Sequence, residues 1–562
     1  MFFAPVPAIE RVMFRTGAQR TYPTVDTPAD WYGILPDAGE QEPLCTYRIA
    51  NFKTASADKD AGAAFLKYKD FKPYVDYFNS MEDENIAQAI PNARASQWME
   101  ENIPLFECSQ KNFEEMYYYR WWTLRKHIKE TPVGYGMTEF LVNRSYADKY
   151  NLIACAIGHH IYESRWLRNP EYLNQIIHTW YRGNEGGPMA KMTKFSSWNA
   201  DAVLGRYMVD GNKEFLLDMV KDLEAEYAHW EKTNRLPNGL YWQGDVQDGM
   251  EESISGGRRK QYARPTINSY MYGNAKALSL IGIMTGDEGM AMKYGLKADS
   301  IKTLVQDKLW NTDHHFFETM RGDASAEVRE AIGYIPWYFN LPDASSKYTV
   351  AWKEVMDEKG FSAPYGLTTA ERRHPEFRTH GVGKCEWDGA IWPFASAQTL
   401  TAMANFMNNY PQTVLTDSVY FHQMERYVES QHHRGRPYIG EYLDEVTGYW
   451  LKGDQERSRY YNHSTFNDLM ITGLIGLRPR MDNTVEVNPL IPEGKWDYFC
   501  LDNVLYHGRN LTILWDKDGS RYQRGKGLHI YVDGKEVGHA DTLTRVLCEN
   551  VLCLLYTSPS PR

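Results

Sequence analysis

The sequence predicts a mainly α-helical protein that ends in a small β-sandwich-like domain. In NFEEMYYYRWWTLRKHI, residues 112–128, apolar side chains recur at the three- and four-residue spacing of an amphipathic helix. The same spacing returns in further segments up to about residue 480. Beyond that point the period changes to two, and the Asp533-Gly534 pair is typical of a type I′ hairpin turn between two strands.

The predicted elements divide the chain of 562 residues into successive parts, since its length exceeds that of one ordinary domain. Residues 1–100 are rich in proline and polar residues, which predicts an irregular N-terminal segment or linker. Residues 101–480 hold the helical segments, and residues 481–547 the small β domain. Residues 548–562, which end in YTSPSPR, break the alternating pattern and are predicted to be a non-native tail.

The helical segments follow one another between loops that carry glycine, tryptophan and acidic residues. Such loops on a regular scaffold are where functional side chains usually lie. The segments are ADKYNLIACAIGHHIYESRWL, PEYLNQIIHTWY, NKEFLLDMVKDLEAEYAHWEK, INSYMYGNAKALSLIGIMTG, MKYGLKADSIKTLVQDKLW, GAIWPFASAQTLTAMANFMNNY and STFNDLMITGLIGL, and the loops include SSWNADA, GYIPWYFNLP and CEWDGAIWP.

Composition and charge exclude several classes of protein. The chain is 43% apolar and 24% charged and has no uncharged apolar run near eighteen residues, so no membrane span is expected. A net charge of −11 opposes binding to nucleic acid. Seven cysteines without a CxxC or Cys/His pattern predict neither a structural zinc nor a disulfide framework. No glycine-rich nucleotide loop is present, so no cofactor is expected.

The N-terminal sequence MFFAPVPAIERV lacks the basic and apolar regions of an export signal. The location of the protein therefore stays open: it is cytoplasmic, or periplasmic or secreted if the natural N-terminus is missing. The sequence also leaves the oligomeric state open.

Aromatic residues make up 14% of the chain, with 17 Trp and 39 Tyr. Rings of this kind fill helical cores, and they also stack on the apolar faces of sugars. Where they occur together with clustered carboxylates, a sugar-binding site is a more specific hypothesis than core packing.

The first such cluster lies in YWQGDVQDGMEESISGG, residues 241–257. It places Asp245, Asp248, Glu251 and Glu252 in a glycine-bounded loop after Trp242. A general acid for glycoside cleavage must keep its proton near neutral pH, which burial and neighbouring negative charge favour. A solvated acidic loop or a calcium site is the alternative interpretation, although the full spacing of an EF-hand loop is absent.

The second cluster is EYLDEVTG, which runs from Glu441 to Gly448. Hydrolysis needs a second carboxylate, either to activate water or to attack the anomeric carbon. Taken alone, this stretch also fits a polar turn between helices.

A third group lies in CEWDGAIWPF, where Trp387 and Trp392 flank Asp388. Indole rings can stack on a pyranose while a carboxylate accepts hydrogen bonds from its hydroxyls. The three residues are therefore predicted to hold a sugar.

Histidines lie near other polar residues in GHHIYESRW and YNHSTF. His159, His160 and Glu163 do not have the HExxH spacing of a zinc protease, so no metal site is predicted. Histidines in such positions are more often hydrogen-bonded structural groups than catalysts.

The three acidic and aromatic stretches together resemble the inverting glycoside hydrolases of family 63 with their mannosylglycerate-hydrolase-like and trehalase-like relatives. Residues 248–253 resemble the family's general-acid stretch with Glu251 in the place of the acid, where the family has Asp. Residues 441–448 match the Glu-x-Tyr-x-x-x-Thr-Gly base motif, and Trp387, Gly389 and Trp392 match its Trp-x-Gly-x-x-Trp pocket motif. The resemblance covers roughly residues 101–480.

The resemblance implies an (α/α)6 barrel, or six-hairpin toroid, that cleaves a terminal α-linked sugar from an oligosaccharide or polysaccharide with inversion. Glu251 would be the general acid, with Asp248 as the alternative, and Glu441 would be the general base. The residues predicted to line the sugar pocket are Trp387, Asp388, Trp392, Trp242, Asp245, Glu163, Arg165, Trp166 and His463.

Two other functions remain open at this point. A polysaccharide lyase or sugar epimerase on a similar helical toroid would use histidine and tyrosine side chains to abstract a proton, an alternative that His159, His160 and His463 suggest. A glycan-binding protein without catalysis would use the rings and carboxylates for affinity alone.

Overall fold

The computed structural model describes residues 65–552, and helices dominate most of this length. The longer helices are α1 (Lys72–Ser80), α2 (Asn92–Asn102), α3 (Lys111–Lys126), α4 (Ile157–Ser164), α5 (Pro170–Arg182), α6 (Asn199–Asp210), α7 (Lys213–Asn234), α8 (Pro265–Thr285), α9 (Glu288–Lys308), α10 (Pro393–Asn409) and α11 (Asp417–Ser430). Short helices span Ile335–Tyr338, Ser346–Thr349 and Asn467–Leu469, the last continuing as a π-helix over Met470–Leu474.

Six of these elements pack against one another in sequence, and the last returns to the first. Helix α4 packs on α6, α6 on α8, α8 on Ile335–Tyr338, that short helix on α10, and α10 on Asn467–Leu469, which packs on α4. Helix α8 is buried on nearly every side over residues 265–282, as expected for an inner helix.

A second set of helices packs on the outside of the first. Helix α5 packs on α4, α7 on α6, α9 on α8 and α11 on α10, while α3 packs on Asn467–Leu469. Helices α7 and α9 each bury only some of their residues, which is the pattern of helices with one face toward solvent.

Local sequence explains where several helices begin and end. The side chains of Asn212 and Asp287 accept hydrogen bonds from backbone N–H groups in the first turns of α7 and α9, respectively, so both act as N-caps. Helix α8 begins with Pro265, whose fixed φ suits the first helical position, and ends at Gly286 in the left-handed conformation with φ +74°.

The strands of four residues or more are β1 (Leu105–Cys108), β2 (Ile128–Thr131), β3 (Gly134–Met137), β4 (Tyr498–Tyr506), β5 (Arg509–Asp516), β6 (Gly527–Val532) and β7 (Lys535–Ala540). A five-stranded antiparallel sheet has the order β1-β4-β5-β6-β7. Asp533 and Gly534 both have positive φ between the paired residues Val532 and Lys535, so the predicted type I′ hairpin is confirmed.

Shorter strands pair within the loops and beside the C-terminal sheet. They are Trp242–Gln243, Tyr262–Ala263, Trp310–Asn311, Phe316–Phe317, Met320–Arg321, Ala324–Ser325, Ser362–Ala363, Gly366–Leu367, His432–His433, Arg436–Pro437, Leu477–Arg478, Val485–Val487 and Val546–Cys548.

The described part of residues 1–100 is more regular than the sequence predicts. Helices α1 and α2 pack on α3. The buried apolar residues are Val75 and Phe78 in α1, and Ala95, Trp98 and Met99 in α2. Each helix is short, so its apolar spacing is too brief to be recognised within a proline-rich segment. Residues 1–64 lie outside the described residues.

The boundaries of the β domain also differ from the prediction. Strand β1 pairs with β4 although it lies nearly 400 residues earlier in the chain. Cys548 ends a strand that pairs with Val485–Val487, so the fold extends past residue 547. Residues 553–562 of the predicted tail lie outside the described residues. Within 65–552, no helix combines the length and apolar character that a membrane span requires.

Candidate active site

Glu251 lies in the loop that follows a 3₁₀ turn at Asp245–Asp248. Gly249 follows the turn in the left-handed conformation, where a Cβ would lie 2.4 Å from the Sγ of Cys155, so only glycine fits. Burial, the charge of Asp245 and the charge of Glu441 raise the pKa of Glu251 to about 7, against the opposing effect of Arg258. Glu251 therefore holds a proton in a large fraction of molecules at neutral pH.

Glu441 is nearly fully buried, but two cations hold its carboxylate. Its Oε2 lies 3.2 Å from the Nζ of Lys452 and 3.0 Å from a guanidinium nitrogen of Arg457. Its backbone N–H donates to the Oγ of Ser458 at 3.2 Å. Two adjacent cations stabilise the charged form of a carboxyl group, so Glu441 has the environment of a carboxylate.

A third carboxyl, Glu139, interacts with the charges of Glu251 and Glu441 and was not among the residues predicted from the sequence. It lies two residues after β3 and is 4% exposed. Its Oε1 accepts a hydrogen bond from the hydroxyl of Tyr461. Burial raises the pKa of Glu139 to about 8; the Tyr461 bond opposes this rise, while the charges of Glu441 and Glu251 add to it.

Three aromatic rings form a stack near these carboxyls. The rings of Trp387 and Trp392 lie 4.4 Å apart at 19°, and those of Trp392 and Tyr442 lie 4.6 Å apart at 17°. Burial raises the pKa of Tyr442, and the charge of Glu441 contributes, which places the stack beside the Glu441 carboxylate. Both faces of Trp392 are covered by protein rings, so this residue cannot offer a face to a sugar as the sequence suggests.

Comparison with known families identifies the family of the chain. Residues 149–464, more than half of the chain, match the family described as mannosylglycerate hydrolase MGH1-like glycoside hydrolase domain. The chain belongs to this family. Residues 477–539 match the C-terminal domain of glycosyl hydrolase family 65, and residues 1–31 match a sialidase-like CBM domain. The resemblance stated from the motifs is confirmed.

Solved structures similar to this MGH1-like protein support the same fold. A structure named "Sialidase" is 79% identical, with a TM-score of 0.87, and the match covers 95% of this chain and 50% of that one. The chain thus spans about half the length of that protein. A GH78 family rhamnosidase of Bacillus sp. GL1 is 13% identical over 74% of this chain and 40% of its own, with a TM-score of 0.50.

A further similar structure is the GH63 mannosylglycerate hydrolase from Thermus thermophilus in complex with glucose. It is 12% identical, its match covers 63% of this chain and 99% of its own, and the TM-score is 0.49.

Asp248, the alternative acid, has a different environment in the MGH1-like domain. It forms an ion pair of 2.6 Å with Arg264, and both side chains are fully buried. It also accepts hydrogen bonds from the hydroxyls of Ser196 and Thr266. Three donors converge on this carboxylate, so its oxygens are occupied by the protein and it fixes the base of the acid loop.

Asp388 is enclosed and serves its own loop. Its Oδ2 accepts hydrogen bonds from the backbone N–H groups of His380 at 2.6 Å and Gly381 at 3.0 Å, and its residue exposure is 0%. The prediction that Asp388 accepts from sugar hydroxyls is therefore wrong for this conformation. Asp388 lies between Trp387 and Trp392 in the sequence, so only the fold shows that its carboxylate binds the backbone of its own loop.

Glu163, Arg165 and Trp166 do not line the pocket; they anchor the short helix Asn467–Leu469. Both carboxylate oxygens of Glu163 accept from backbone N–H groups of residues 466–468 at 2.8–3.2 Å. Arg165 forms a 2.8 Å ion pair with Asp468, whose Oδ1 also accepts from the indole of Trp166 at 2.7 Å. These three residues join α4 to the helix that closes the inner set.

The histidines are buried and uncharged. Both ring nitrogens of His463 and of His159 are enclosed and have no hydrogen-bond partner among the described residues. Burial holds the pKa of each well below its ordinary value. His463 packs edge-on against Tyr461, with ring centroids 3.8 Å apart, and faces Trp392 at 6.1 Å. His463 thus belongs to the ring cluster of the site, whereas a role in proton transfer has no support.

Trp242 and Asp245 frame the acid loop. Trp242 lies half-buried on a short strand paired with Ala263, directly before the 3₁₀ turn. Asp245 is buried, and its Oδ1 accepts from the backbone N–H of Val246 at 2.8 Å. The contribution of Asp245 to the site is its negative charge on Glu251, as the crowding of acids in the sequence predicts.

Three cations gather around Tyr146. The Nζ atoms of Lys191 and Lys194 lie 3.1 and 3.3 Å from the carbonyl oxygen of Tyr146, and the guanidinium of Arg144 lies 5.3 Å from its ring centroid. Burial and Lys191 lower the pKa of Lys194, while Glu251 raises it. We call Arg144, Lys191 and Lys194 the cationic cluster.

The only group among residues 65–552 able to gather around a metal ion is His314, Glu318 and Glu327. Glu318 already accepts hydrogen bonds from His314, Asn311 and Ser325. These hydrogen bonds explain why the three side chains lie together. The group gives no reason to place a metal ion at Glu251 and Glu441.

Proposed function

We propose that the chain is an inverting glycosidase that removes a terminal α-linked sugar, with Glu251 as general acid and Glu441 as general base. The observation that carries this proposal is the opposite environment of two carboxyls that interact electrostatically. Burial and negative charge favour the protonated form of Glu251, whereas Lys452 and Arg457 favour the charged form of Glu441. Such a difference between two carboxyls is what acid and base roles require.

The proposed scaffold is an (α/α)6 barrel. Its support is the closed sequence of contacts from α4 through α6, α8, Ile335–Tyr338 and α10 to Asn467–Leu469 and back to α4. The outer helices pair with these elements, and Trp352 packs on Trp337 with ring centroids 5.5 Å apart, which supplies an outer segment for Ile335–Tyr338. The catalytic carboxyls lie in loops at the ends of the inner elements.

The proposed reaction is a single displacement. Glu251 donates its proton to the glycosidic oxygen as the bond to the anomeric carbon breaks. Glu441 accepts a proton from a water molecule, whose oxygen attacks the opposite face of that carbon. One water is consumed, the leaving group departs as an alcohol, and the new hemiacetal has the inverted configuration. Proton exchange with solvent then restores Glu251 and Glu441.

The two other functions considered from the sequence have less support. A lyase or epimerase would need a histidine nitrogen that reaches the substrate, but both nitrogens of His159 and of His463 are enclosed. A binding protein without catalysis would not need a protonated carboxyl beside one that two cations keep charged, because removing these groups from water is costly.

The cationic cluster favours an acidic group on the leaving side of the substrate. Lys194 interacts with Glu251, the residue that would protonate the departing oxygen. Like charges close together are unfavourable, and a bound anion would relieve their repulsion. The similarity to a protein named "Sialidase" is consistent with an acidic glycan, and the sugar itself is proposed only to this level.

The experiment is a screen of 4-nitrophenyl α-glycosides with the wild-type chain and Glu441→Gln, including neutral and acidic sugars. We expect release of nitrophenol from at least one substrate by the wild type, reduced about 10²-fold or more in Glu441→Gln, the usual effect of losing a catalytic base. Wild-type activity in Glu441→Gln would remove Glu441 from the mechanism.

A further inference from the structure

We propose that Glu139 is a positioning residue of this site, which fixes the segment of residues 457–463 and thereby the orientation of Glu441. We call residues 457–463 the strap. The inference rests on the proposed function, since it assigns Glu139 a task in orienting the general base.

The first end of the strap holds Glu441 directly. Arg457 contacts the Oε2 of Glu441 at 3.0 Å, and the Oγ of Ser458 accepts from its backbone N–H at 3.2 Å. Farther along the strap, the N–H of Tyr461 donates to the carbonyl oxygen of Ile439 at 3.3 Å, two residues before Glu441. The position of the carboxylate thus depends on where the strap lies.

The other end of the strap is tied to the segment after β3. The hydroxyl of Tyr461 donates to the Oε1 of Glu139, and the N–H of Asn462 donates to the carbonyl oxygen of Glu139 at 2.9 Å. The amide of Asn462 also donates to the carbonyl oxygen of Thr138 at 3.1 Å. Of these contacts, the bond to Oε1 is the one that depends on the side chain of Glu139.

Packing makes the Tyr461 contact specific. The ring of Tyr461 lies between Phe140, at 4.4 Å, and His463, at 3.8 Å. A buried hydroxyl left without its acceptor is unfavourable, so loss of Glu139 would favour movement of Tyr461 out of this slot. Because Tyr461 and Arg457 belong to one short strap, such movement would also draw Arg457 away from Glu441.

The charge state of Glu139 agrees with this task. Lys452 and Arg457 both contact Glu441, and none of the described ion pairs involves Glu139. A buried carboxylate without a cation is costly, so Glu139 is held neutral, with Oε2 enclosed and without a partner among the described residues. A neutral carboxyl can accept from Tyr461 without adding a third negative charge to Glu251 and Glu441.

The test compares Glu139→Gln, Glu139→Ala and Tyr461→Phe by kcat, KM and pH profile. Glutamine keeps an oxygen acceptor and no charge, so we expect kcat within about twofold of wild type. Alanine and Tyr461→Phe remove the bond from opposite sides; we expect each to lower kcat about tenfold with KM within twofold. Because Glu441 would lose Arg457, the acidic limb of the profile should move to higher pH in both.

Glu226→Gln and Glu226→Ala are the matched controls. Glu226 is also buried and accepts from a tyrosine hydroxyl, that of Tyr181 at 2.5 Å, but it is not among the charges that affect Glu251. A merely structural glutamate would change stability without moving the acidic limb, as we expect for Glu226→Ala. Tyr461→Phe keeps the experiment decisive if Glu139→Ala does not fold, because it deletes a single oxygen.

Two results would overturn the inference. One is a wild-type kcat and acidic limb in Tyr461→Phe. The other is a loss in Glu139→Gln equal to that in Tyr461→Phe, since the acceptor would then not be the relevant feature. Glu441→Gln in the same assay separates the two levels: an active Glu441→Gln refutes the proposed function, whereas an inactive one with a normal Tyr461→Phe refutes the role of Glu139 alone.

Discussion

Replacing Glu139 by glutamine should stabilise the fold, and by more as the pH rises. The pKa of Glu139 in the folded chain is about 8, raised from an ordinary value of 4.5 mainly by burial. Below pH 4.5 the carboxyl is protonated in both the folded and the unfolded state and costs nothing. Above this pH the unfolded state loses the proton first, so wild-type stability falls until about pH 8, where the penalty is complete.

The size of the effect follows from the shift. Each pKa unit corresponds to 1.36 kcal/mol, so a shift of this size amounts to at most about 5 kcal/mol. Part of the penalty is already present at pH 5, and relaxation of the site when the carboxyl ionises would reduce the rest, so we expect a gain of about 2–4 kcal/mol for Glu139→Gln at pH 8.5 relative to its effect at pH 5.

The assay is urea denaturation of wild type and Glu139→Gln at pH 5, 6.5 and 8.5, with fluorescence as the probe. Glu130→Gln, at an exposed position on β2, is the control for a generic loss of one charge. A stability difference between Glu139→Gln and wild type that is the same at all three pH values would refute the argument that Glu139 is held neutral in the fold.

Three further predictions concern the acid, the ring stack and the cationic cluster. Glu251→Gln should lower kcat about 10²–10⁴-fold on glycosides with poor leaving groups and much less on 2,4-dinitrophenyl glycosides, and equal losses on both substrate types would contradict the acid role. Wild-type activity on poor leaving groups should decline above about pH 7, where Glu251 loses its proton. Trp392→Ala should destabilise the fold by about 3–5 kcal/mol in urea denaturation because both faces of the indole are covered, and a loss under 1 kcal/mol would contradict that packing. Lys194→Met should lower kcat/KM for a substrate with an acidic leaving sugar, relative to one with a neutral leaving sugar, by about tenfold at low salt. Lys526→Met is the exposed control, and an unchanged ratio in Lys194→Met would remove the cationic cluster from recognition.

Much of the helical scaffold could be predicted from the sequence because its apolar spacing is long and regular. Helix α10 falls within its predicted segment, and helices α3, α5, α7, α8 and α9 overlap theirs but extend past one end. The sequence predicts a loop at SSWNADA because this stretch reads as polar, yet helix α6 begins there and Trp198 and Ala202 are buried. Burial from several sides hides the periodicity that identifies an amphipathic helix.

The candidate site was less predictable, because its members depend on contacts distant in the chain. The loops that hold Glu251 and Glu441 could be identified from clustered carboxylates near rings, and the resemblance to family 63 implied which glutamate in each loop acts. Glu139 could not, since a single glutamate after a short strand has no local signature, and its partner Tyr461 lies more than 300 residues later. A buried carboxyl becomes informative only when its neighbours are known.

The sequence also predicts sugar contacts for side chains that have a structural role in the fold. Glu163 and Arg165 have the right chemistry, but the fold uses them to hold Asn467–Leu469 against α4. A closed set of helices must satisfy the backbone N–H groups at the start of each helix, and a carboxylate from a neighbouring helix does this well. Chemical type alone cannot separate this role from substrate binding.

The central claim is that Glu251 and Glu441 act on opposite faces of an α-linked sugar in one displacement. The most direct test is proton NMR of the first product formed when the wild-type chain cleaves the best α-glycoside found in the screen. Single displacement predicts the β-anomer first, followed by slow mutarotation. Release of the α-anomer first would contradict it, because retention requires a covalent intermediate and a carboxylate that attacks the sugar itself.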